Sequence, residues 1–450
     1  MPASKRQLGS LPASGRRPIQ RAMSAPPRQP SSQSADPFGW TALGTGAFLL
    51  LVLIRLGIPS KPFFDEVHYL PAARALLEMS QPLNREHPML GKELISLGMA
   101  IFGDRPFGWR ALPALFGALA LFAFMRAIWH VSLSRFATIA GGVLLATAFP
   151  LFVHARIAML DIFVISFIMV AFWMCASALR EAETARWRLG IAGVALGCAM
   201  ASKWSAIPVA VVPGLAFLAI RLRSTGWRAW TSSRGWPVPG IGLPEAFLWL
   251  GAVPLATYAA TYLPAIFFAQ GAFGPLELAN VHRLMLDLQT QPLAEHTYQS
   301  RWWQWVGNIR AIWYLYEVVD EAQRGVLLVG NPLTMLAGLP ALAWCLWSGI
   351  ARGNAAGLAV AVLYAASIGL WLVAAKNVQF YYHYFLPSCF LVAALTLALD
   401  ALWQAGWRKT ALAPVAGALA LFAFFYPILS AAPLDGAAAF ERWTWLGSWR

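Results

Sequence analysis

Charge is what this chain has least of. Only 12% of its 450 residues are Asp, Glu, Lys or Arg, against 59% hydrophobic residues. A soluble globular domain carries about 25% charged residues, so the deficit argues against a set of soluble domains. Cysteine is also scarce. Cys175, Cys198, Cys345 and Cys389 each sit in an apolar run, without CxxC or metal-ligand spacing, which fits small packing residues better than a disulfide or metal framework. There is no GxGxxG after a strand, no P-loop, no HExxH and no GxSxG. A cytosolic nucleotide-sugar donor therefore has no motif to bind it, whereas a lipid-linked donor needs none.

What is present is a series of apolar runs of near membrane-spanning length, about 20 residues each. They fall at about 38–57, 110–129, 136–154, 160–179, 188–203, 206–221, 245–269, 325–348, 355–375, 380–402 and 411–429. The expectation is an all-α polytopic membrane protein with about 11 transmembrane helices. Residues 1–37 hold six Lys/Arg against one acid among Pro, Ser and Gln, and are expected to be a disordered basic cytoplasmic tail. The run from Phe38 lacks a clear cleavage site and reads as a retained helix. The net charge of +14 is spread through this tail and short loops, without the interleaved aromatic patch that nucleic-acid binding would require.

Placing the tail in the cytoplasm puts the connections near 129–135, 180–188, 221–244, 349–354 and 403–410 inside. Arg221, Arg223, Arg228 and Arg234 then lie inside, as do Arg408 and Lys409, in agreement with the positive-inside rule. The large connections 57–110 and 270–324, and a tail from 430 to 450, fall outside. The two large connections carry twelve of the twenty acids. Within the first, Val67–Met79 and Pro88–Phe102 have apolar residues at helical spacing, the pattern of two amphipathic helices at the membrane surface.

Asp65-Glu66 opens this charged stretch. From spacing alone, the ordinary account of Asp65 is a helix N-cap; the sharper account is a general base for a hydroxyl acceptor, with Glu66 beside it. His87 and Lys92 could meet a phosphate, although snorkelling would also explain Lys92. Arg110, Arg156, Asp161 and Lys203 fall at the same membrane face, where ionisable residues are functional candidates; Arg156 and Asp161 could equally pair with one another. His296, Tyr298, Trp302 and Trp303 crowd the second connection, either as an interfacial aromatic belt or as a platform for a sugar or polyprenyl chain. Gln379 lies in a similar polar and aromatic stretch running to Tyr384.

Phe64-Asp65-Glu66-Val67-His68-Tyr69, His87-Pro88-Met89-Leu90-Gly91-Lys92 and Phe107-Gly108-Trp109-Arg110 resemble the first loop of the protein O-mannosyltransferase family. Arg156 to Asp161, Gly197 to Ser205, His296 to Trp305, Gly330-Asn331-Pro332 and Gln379 to Tyr384 continue the resemblance in order. It implies the GT-C fold and inverting transfer of mannose from a polyprenyl-phosphate-mannose donor to Ser or Thr hydroxyls of secreted or membrane proteins, at the outer face of a bacterial inner membrane. It places the catalytic acidic residue at Asp65, with Glu66 as a substrate-binding partner, and makes Arg110 important to the site. His87, Lys92, Arg156 and Lys203 become candidates for the donor phosphate. No metal or other cofactor is required, since the phosphate is already a leaving group.

Two departures stand out. Met89 replaces a second proline common in the first-loop block, and the second connection is too short for the lumenal domain of eukaryotic members, so the chain resembles the compact bacterial ones. The alternatives are another polyprenyl-phosphate sugar, a lipid or glycan acceptor, or a transporter or flippase. Neither the acceptor sites nor the oligomeric state is legible.

Overall fold

The computed structural model describes residues 35–450, so the expected disorder of the N-terminal tail lies outside the described residues except at its end. Helices dominate. In chain order they are α1 (Phe38–Leu53), α2 (Glu66–Leu77), α3 (Leu90–Phe102), α4 (Pro106–Ser132), α5 (Arg135–Ala146), α6 (Phe149–His154), α7 (Asp161–Arg180), α8 (Ala185–Ser202), α9 (Ile207–Ala210), α10 (Val212–Thr225), α11 (Leu243–Phe247), α12 (Val253–Ala260), α13 (Leu278–Thr290), α14 (Trp302–Val306), α15 (Pro332–Arg352), α16 (Ala355–Val373), α17 (Phe385–Gln404) and α18 (Arg408–Leu429).

Among the described residues, eight helical stretches are long and apolar enough to cross a membrane. They lie within or over eight of the eleven expected runs. Of the others, α1 and the broken pair α5 and α6 are shorter, while α8 has 18 residues but carries Arg186 and Arg188 near its start and is less apolar. The close fifth and sixth runs are α8 and the helix after it, separated at Lys203, whose backbone is extended. The most buried spans are α4, α7 and the one containing α17, which form the middle of the bundle. Small residues let helices close up around them. At Gly193 and Gly197 of α8, any Cβ would collide with the Trp249 and Pro254 carbonyls, so the backbones touch directly.

The two helices expected in the first large connection are α2 and α3. Both begin close to the expected positions, but the prolines sit differently. Pro71 lies inside α2, beyond its first turn, and Pro88 precedes α3.

The second large connection corrects the all-α expectation. Ile312–Val319 (β1) and Ala322–Leu328 (β2) form an antiparallel hairpin, with Val319 opposite Ala322. Asp320 and Glu321 both have positive φ, as a two-residue type I′ turn requires. The apolar run from residue 325 was expected to begin a span; its first residues are instead β2, and the helix starts at Pro332 behind the Asn331 cap. A short buried strand and the start of a buried helix look alike in sequence.

The hairpin supports the Asp65 loop. Ser60 bonds the Asp320 carboxylate through its backbone N–H, at 2.9 Å, and its hydroxyl, while Lys61 pairs with Glu317 at 2.7 Å. Residues after α18 fold back along the hairpin's other side. Trp313 Nε1 donates to the Trp449 carbonyl, and Trp449 Nε1 donates to that of Asn308.

Candidate active site

The Asp65 loop is held by one buried ion pair. Glu66 is fully buried and accepts four hydrogen bonds: Arg110 Nε and Nη2, both at 2.8 Å, and the backbone N–H groups of Ala158 and Phe63. Arg110, also fully buried, spends its three other N–H donors on the carbonyls of Leu56, Pro59 and Lys61. A guanidinium has five donors, and all are used. Neither residue has capacity left for a substrate. The reading of Glu66 as a substrate-binding partner is corrected accordingly, and Arg110, expected to be important to the site, serves it by holding the loop and not by contacting substrate. The pair ties the end of α1, the loop, α2 and α4 together.

Phe64 has a positive φ of 50°, which turns the chain sharply between Phe63 and Asp65. Its ring stacks on Tyr314 of β1 at 3.8 Å between centroids and meets Tyr382 edge-on at 5.9 Å. Tyr314 is fixed in turn by His154: His154 Nδ1 bonds the Pro150 carbonyl, so Nε2 accepts from the Tyr314 hydroxyl at 3.1 Å.

Asp65 itself precedes α2 but makes no side-chain capping bond. The N-cap account of its carboxylate therefore fails. The residue is half-buried. Burial raises its pKa to about 6; the positive charge of Lys203 opposes the rise, Asp161 adds to it, and His68 and Lys376 oppose it. A carboxylate so placed is a stronger base than an ordinary one and still mostly ionised at neutral pH.

Lys203 and Asp161 form a buried ion pair, with Nζ 3.0 and 2.9 Å from the two carboxylate oxygens. Asp161 is the first residue of α7, where the helix dipole favours a negative charge. Lys203 also lies 4.9 Å from the Tyr382 ring centroid. The expected Arg156–Asp161 pairing is thus replaced. Arg156 instead donates to the carbonyls of Val52, Ile54, Arg55 and Ser430. It caps the end of α1 and anchors the chain after α18, and is not positioned as a phosphate ligand.

Lys92 is likewise structural. Its three donors go to the carbonyls of Leu83, Asn84 and His87, which fastens the segment between α2 and α3. The half-buried His87 keeps an unpartnered, buried Nδ1 and packs against Tyr69. Burial and the charges of Lys203, Lys376 and Lys92 push its pKa well below the usual value, so the ring is neutral.

The second connection reaches the site through the stretch before α17. Ser300 N–H donates to the Gln379 carbonyl at 2.7 Å, and the Gln379 side chain caps the Trp371 and Lys376 carbonyls. His296 is exposed, meets Phe380 edge-on and accepts from the Tyr298 N–H. Trp302 and Trp303 are exposed at the outer surface, whereas Trp305 is fully buried and lies near His383. The aromatic group therefore divides: its inner members wall the site and the two exposed tryptophans face away from the core.

Sequence reasoning passed over Lys376. Its ammonium makes no hydrogen bond to the protein among the described residues, unlike Lys92 and Lys203. Burial and the Lys203 charge lower its pKa, while Asp65 and Asp161 act in the opposite direction. His383 lies in the quoted Gln379–Tyr384 stretch but was given no role there; its Nε2 is buried with no partner among the described residues. Both lie in the Gln379–Tyr384 neighbourhood, but only folding brings them to Asp65. Among the described residues, the arrangement is a carboxylate without a hydrogen bond in the field of two lysines, Lys203 paired with Asp161 and Lys376 without a hydrogen bond, near the rings of Phe64, Tyr314 and Tyr382.

A model of the dolichyl-phosphate-mannose-protein mannosyltransferase family matches residues 86–237. Polyprenol-phosphate-mannose–protein mannosyltransferases of Mycolicibacterium smegmatis and Mycobacterium tuberculosis are 28% and 29% identical, over 92% of this chain and 93% and 92% of theirs. The S. cerevisiae Pmt1–Pmt2 protein O-mannosyltransferase complex, solved with its sugar donor, aligns over 93% of both chains with a TM-score of 0.76 at 13% identity. ArnT of Cupriavidus metallidurans, bound to undecaprenyl phosphate, aligns over 83% of this chain and 62% of its own, with a TM-score of 0.54 at 16% identity. With its membrane-length helices and this likeness along nearly the whole chain, the protein is an integral membrane glycosyltransferase of GT-C fold, similar to the protein O-mannosyltransferases.

Proposed function

We propose that the chain transfers mannose from polyprenyl-phosphate-mannose to Ser or Thr hydroxyls of proteins, with inversion, at the extracytoplasmic face of the membrane. One observation carries the mechanism: among the described residues the Asp65 carboxylate makes no hydrogen bond, and it lies within electrostatic reach of Lys376, whose ammonium makes none either. The names of the curated relatives supply the donor and acceptor classes.

In this reading Asp65 takes the proton from the acceptor hydroxyl as its oxygen attacks the anomeric carbon. The bond from that carbon to the phosphate oxygen breaks on the opposite face, and polyprenyl phosphate departs with the electron pair. Lys376 meets the charge developing on that oxygen, and Lys203, held by Asp161, adds to the local potential. One base and a good leaving group suffice for inversion. A glycosidase, by contrast, typically needs two carboxyl groups. Glu66, Arg110, Lys92 and Arg156 act by holding the loop in place. The basic connections and tail set the orientation, with eleven spans and the N-terminus inside.

The test is transfer by the purified full chain to a Ser/Thr-containing peptide, comparing mannosyl and glucosyl polyprenyl phosphates. Mannose transfer that is lost in Asp65→Asn is expected. Transfer from the glucosyl donor alone would overturn the mannose assignment, and undiminished transfer by Asp65→Asn would remove Asp65 as the base.

A further inference from the structure

A cavity of about 480 Å³ opens at the other end of the bundle from Asp65. Its size falls within the roughly 300–1,000 Å³ of small-ligand sites. Its walls come from the C-terminal ends of α4 and α7 and the start of α8. Arg110 and Arg126 mark the two ends of α4 and are about 24 Å apart at 1.5 Å per residue, so this cavity takes no part in the transfer site.

Three arginines line it. Arg126, 6% exposed, is paired through both Nη atoms with Asp36. Arg180 donates to the His130 and Val131 carbonyls, and Arg188 to Glu181 and Thr184. Against these three cations stand two acids, Asp36 and Glu181. Two further donors in the wall, Arg126 Nε and Trp173 Nε1, are buried and have no acceptor among the described residues. A buried donor left unpaired forfeits its hydration without a compensating bond. The cavity thus has donors and positive charge left over.

A phosphate group supplies only acceptors and negative charge, and so answers both surpluses. A neutral sugar would bring further donors. The rim indicates what the phosphate is attached to: Trp187 and Ile191 line the cavity and are 51% and 43% exposed. Their apolar surface extends outward from the polar wall, at the end of membrane-length helices, where a headgroup and the start of its acyl chains would lie. We infer that this cavity binds the phosphate of an anionic membrane lipid, in a site separate from that of the sugar donor.

The test is native mass spectrometry of the purified full chain with phosphatidylglycerol or phosphatidylcholine of matched chain length. Wild type should retain phosphatidylglycerol preferentially. Arg180→Gln should weaken that retention roughly tenfold or more, the loss of one charge-assisted hydrogen bond. Trp173→Phe keeps a large ring and deletes only the donor. It should weaken retention several-fold, yet leave the thermal midpoint of the lipid-free protein unchanged or higher. Equal retention of the two lipids, or a preference untouched by both variants, would overturn the site. Displacement of phosphatidylglycerol by millimolar inorganic phosphate would show a free-oxyanion site and overturn the lipid assignment.

Discussion

Asp65 and Glu66 are consecutive residues with opposite roles. The Glu66 carboxylate is fully buried and accepts four hydrogen bonds, two of them from Arg110. The Asp65 carboxylate accepts none among the described residues and feels the charges of Lys203 and Lys376. One fixes the loop; the other is left with its lone pairs available for chemistry.

Asp65→Asn is expected to abolish transfer while the protein still folds, because no hydrogen bond among the described residues depends on that carboxylate. In the wild type, activity should rise with pH through about 6 as the base ionises. The stability effect has the opposite sense. Because its pKa is raised from 3.8 to about 6 on folding, the folded state holds the Asp65 proton more tightly, and stability falls as pH rises between those values. Above pH 6, Asp65→Asn should therefore unfold at a higher temperature than wild type, by up to about 3 kcal/mol in free energy. Thermal unfolding at pH 5 and pH 7.5 checks this.

Glu66→Gln and Arg110→Met should each destabilise the fold by about 3–5 kcal/mol, since each leaves the partner's buried charge uncompensated. The loss of transfer would follow the loss of folded protein. The check is the yield of monodisperse protein and its unfolding temperature in detergent. A normally stable Arg110→Met with a selectively raised donor KM would instead make Arg110 a donor contact.

Lys376→Gln should leave stability nearly unchanged, because the ammonium makes no hydrogen bond among the described residues. Its effect belongs to the donor: a fall in kcat/KM of roughly tenfold to a hundredfold, the worth of one charge-assisted contact. Lys203→Gln should differ by also lowering the unfolding temperature, as it strands Asp161 in the interior. Donor titrations and melting curves on both variants separate the two lysines.

Tyr314→Phe keeps the stack on Phe64 and loses only the hydroxyl bonded to His154. A stability cost of about 1 kcal/mol and near-normal transfer are expected. Tyr314→Ala removes the surface against which Phe64 is turned, and should cost about 3–5 kcal/mol and lower kcat as Asp65 loses its setting. Equal effects of the two substitutions on kcat would show that the hydroxyl, and not the stack, positions the loop.

Much of the helical frame was legible because apolar length is a local property. A run such as 160–179 becomes α7 whichever neighbours it meets. The hairpin was not legible, since Val326-Leu327-Leu328-Val329 is equally compatible with a buried strand and the start of a span. Only the turn at Asp320 and Glu321 and the pairing with β1 select the strand. Site charges were harder still. Arg156 and Lys203 look alike in sequence, yet Arg156 met four backbone carbonyls and Lys203 met Asp161.

The sequence by itself determined a membrane protein of many helices, a charged first connection and the order of motifs that carries the family resemblance. Its apolar periodicity and composition act over twenty residues at a time and need no partner. Tertiary structure decided which charges are spent and which are free. Arg110, Lys92 and Arg156 use their donors on groups close to them in space, and Lys376 retains its own beside Asp65. Whether an ionisable group builds the fold or is available to a substrate depends on which acceptors surround it, and distant parts of the chain supply those acceptors.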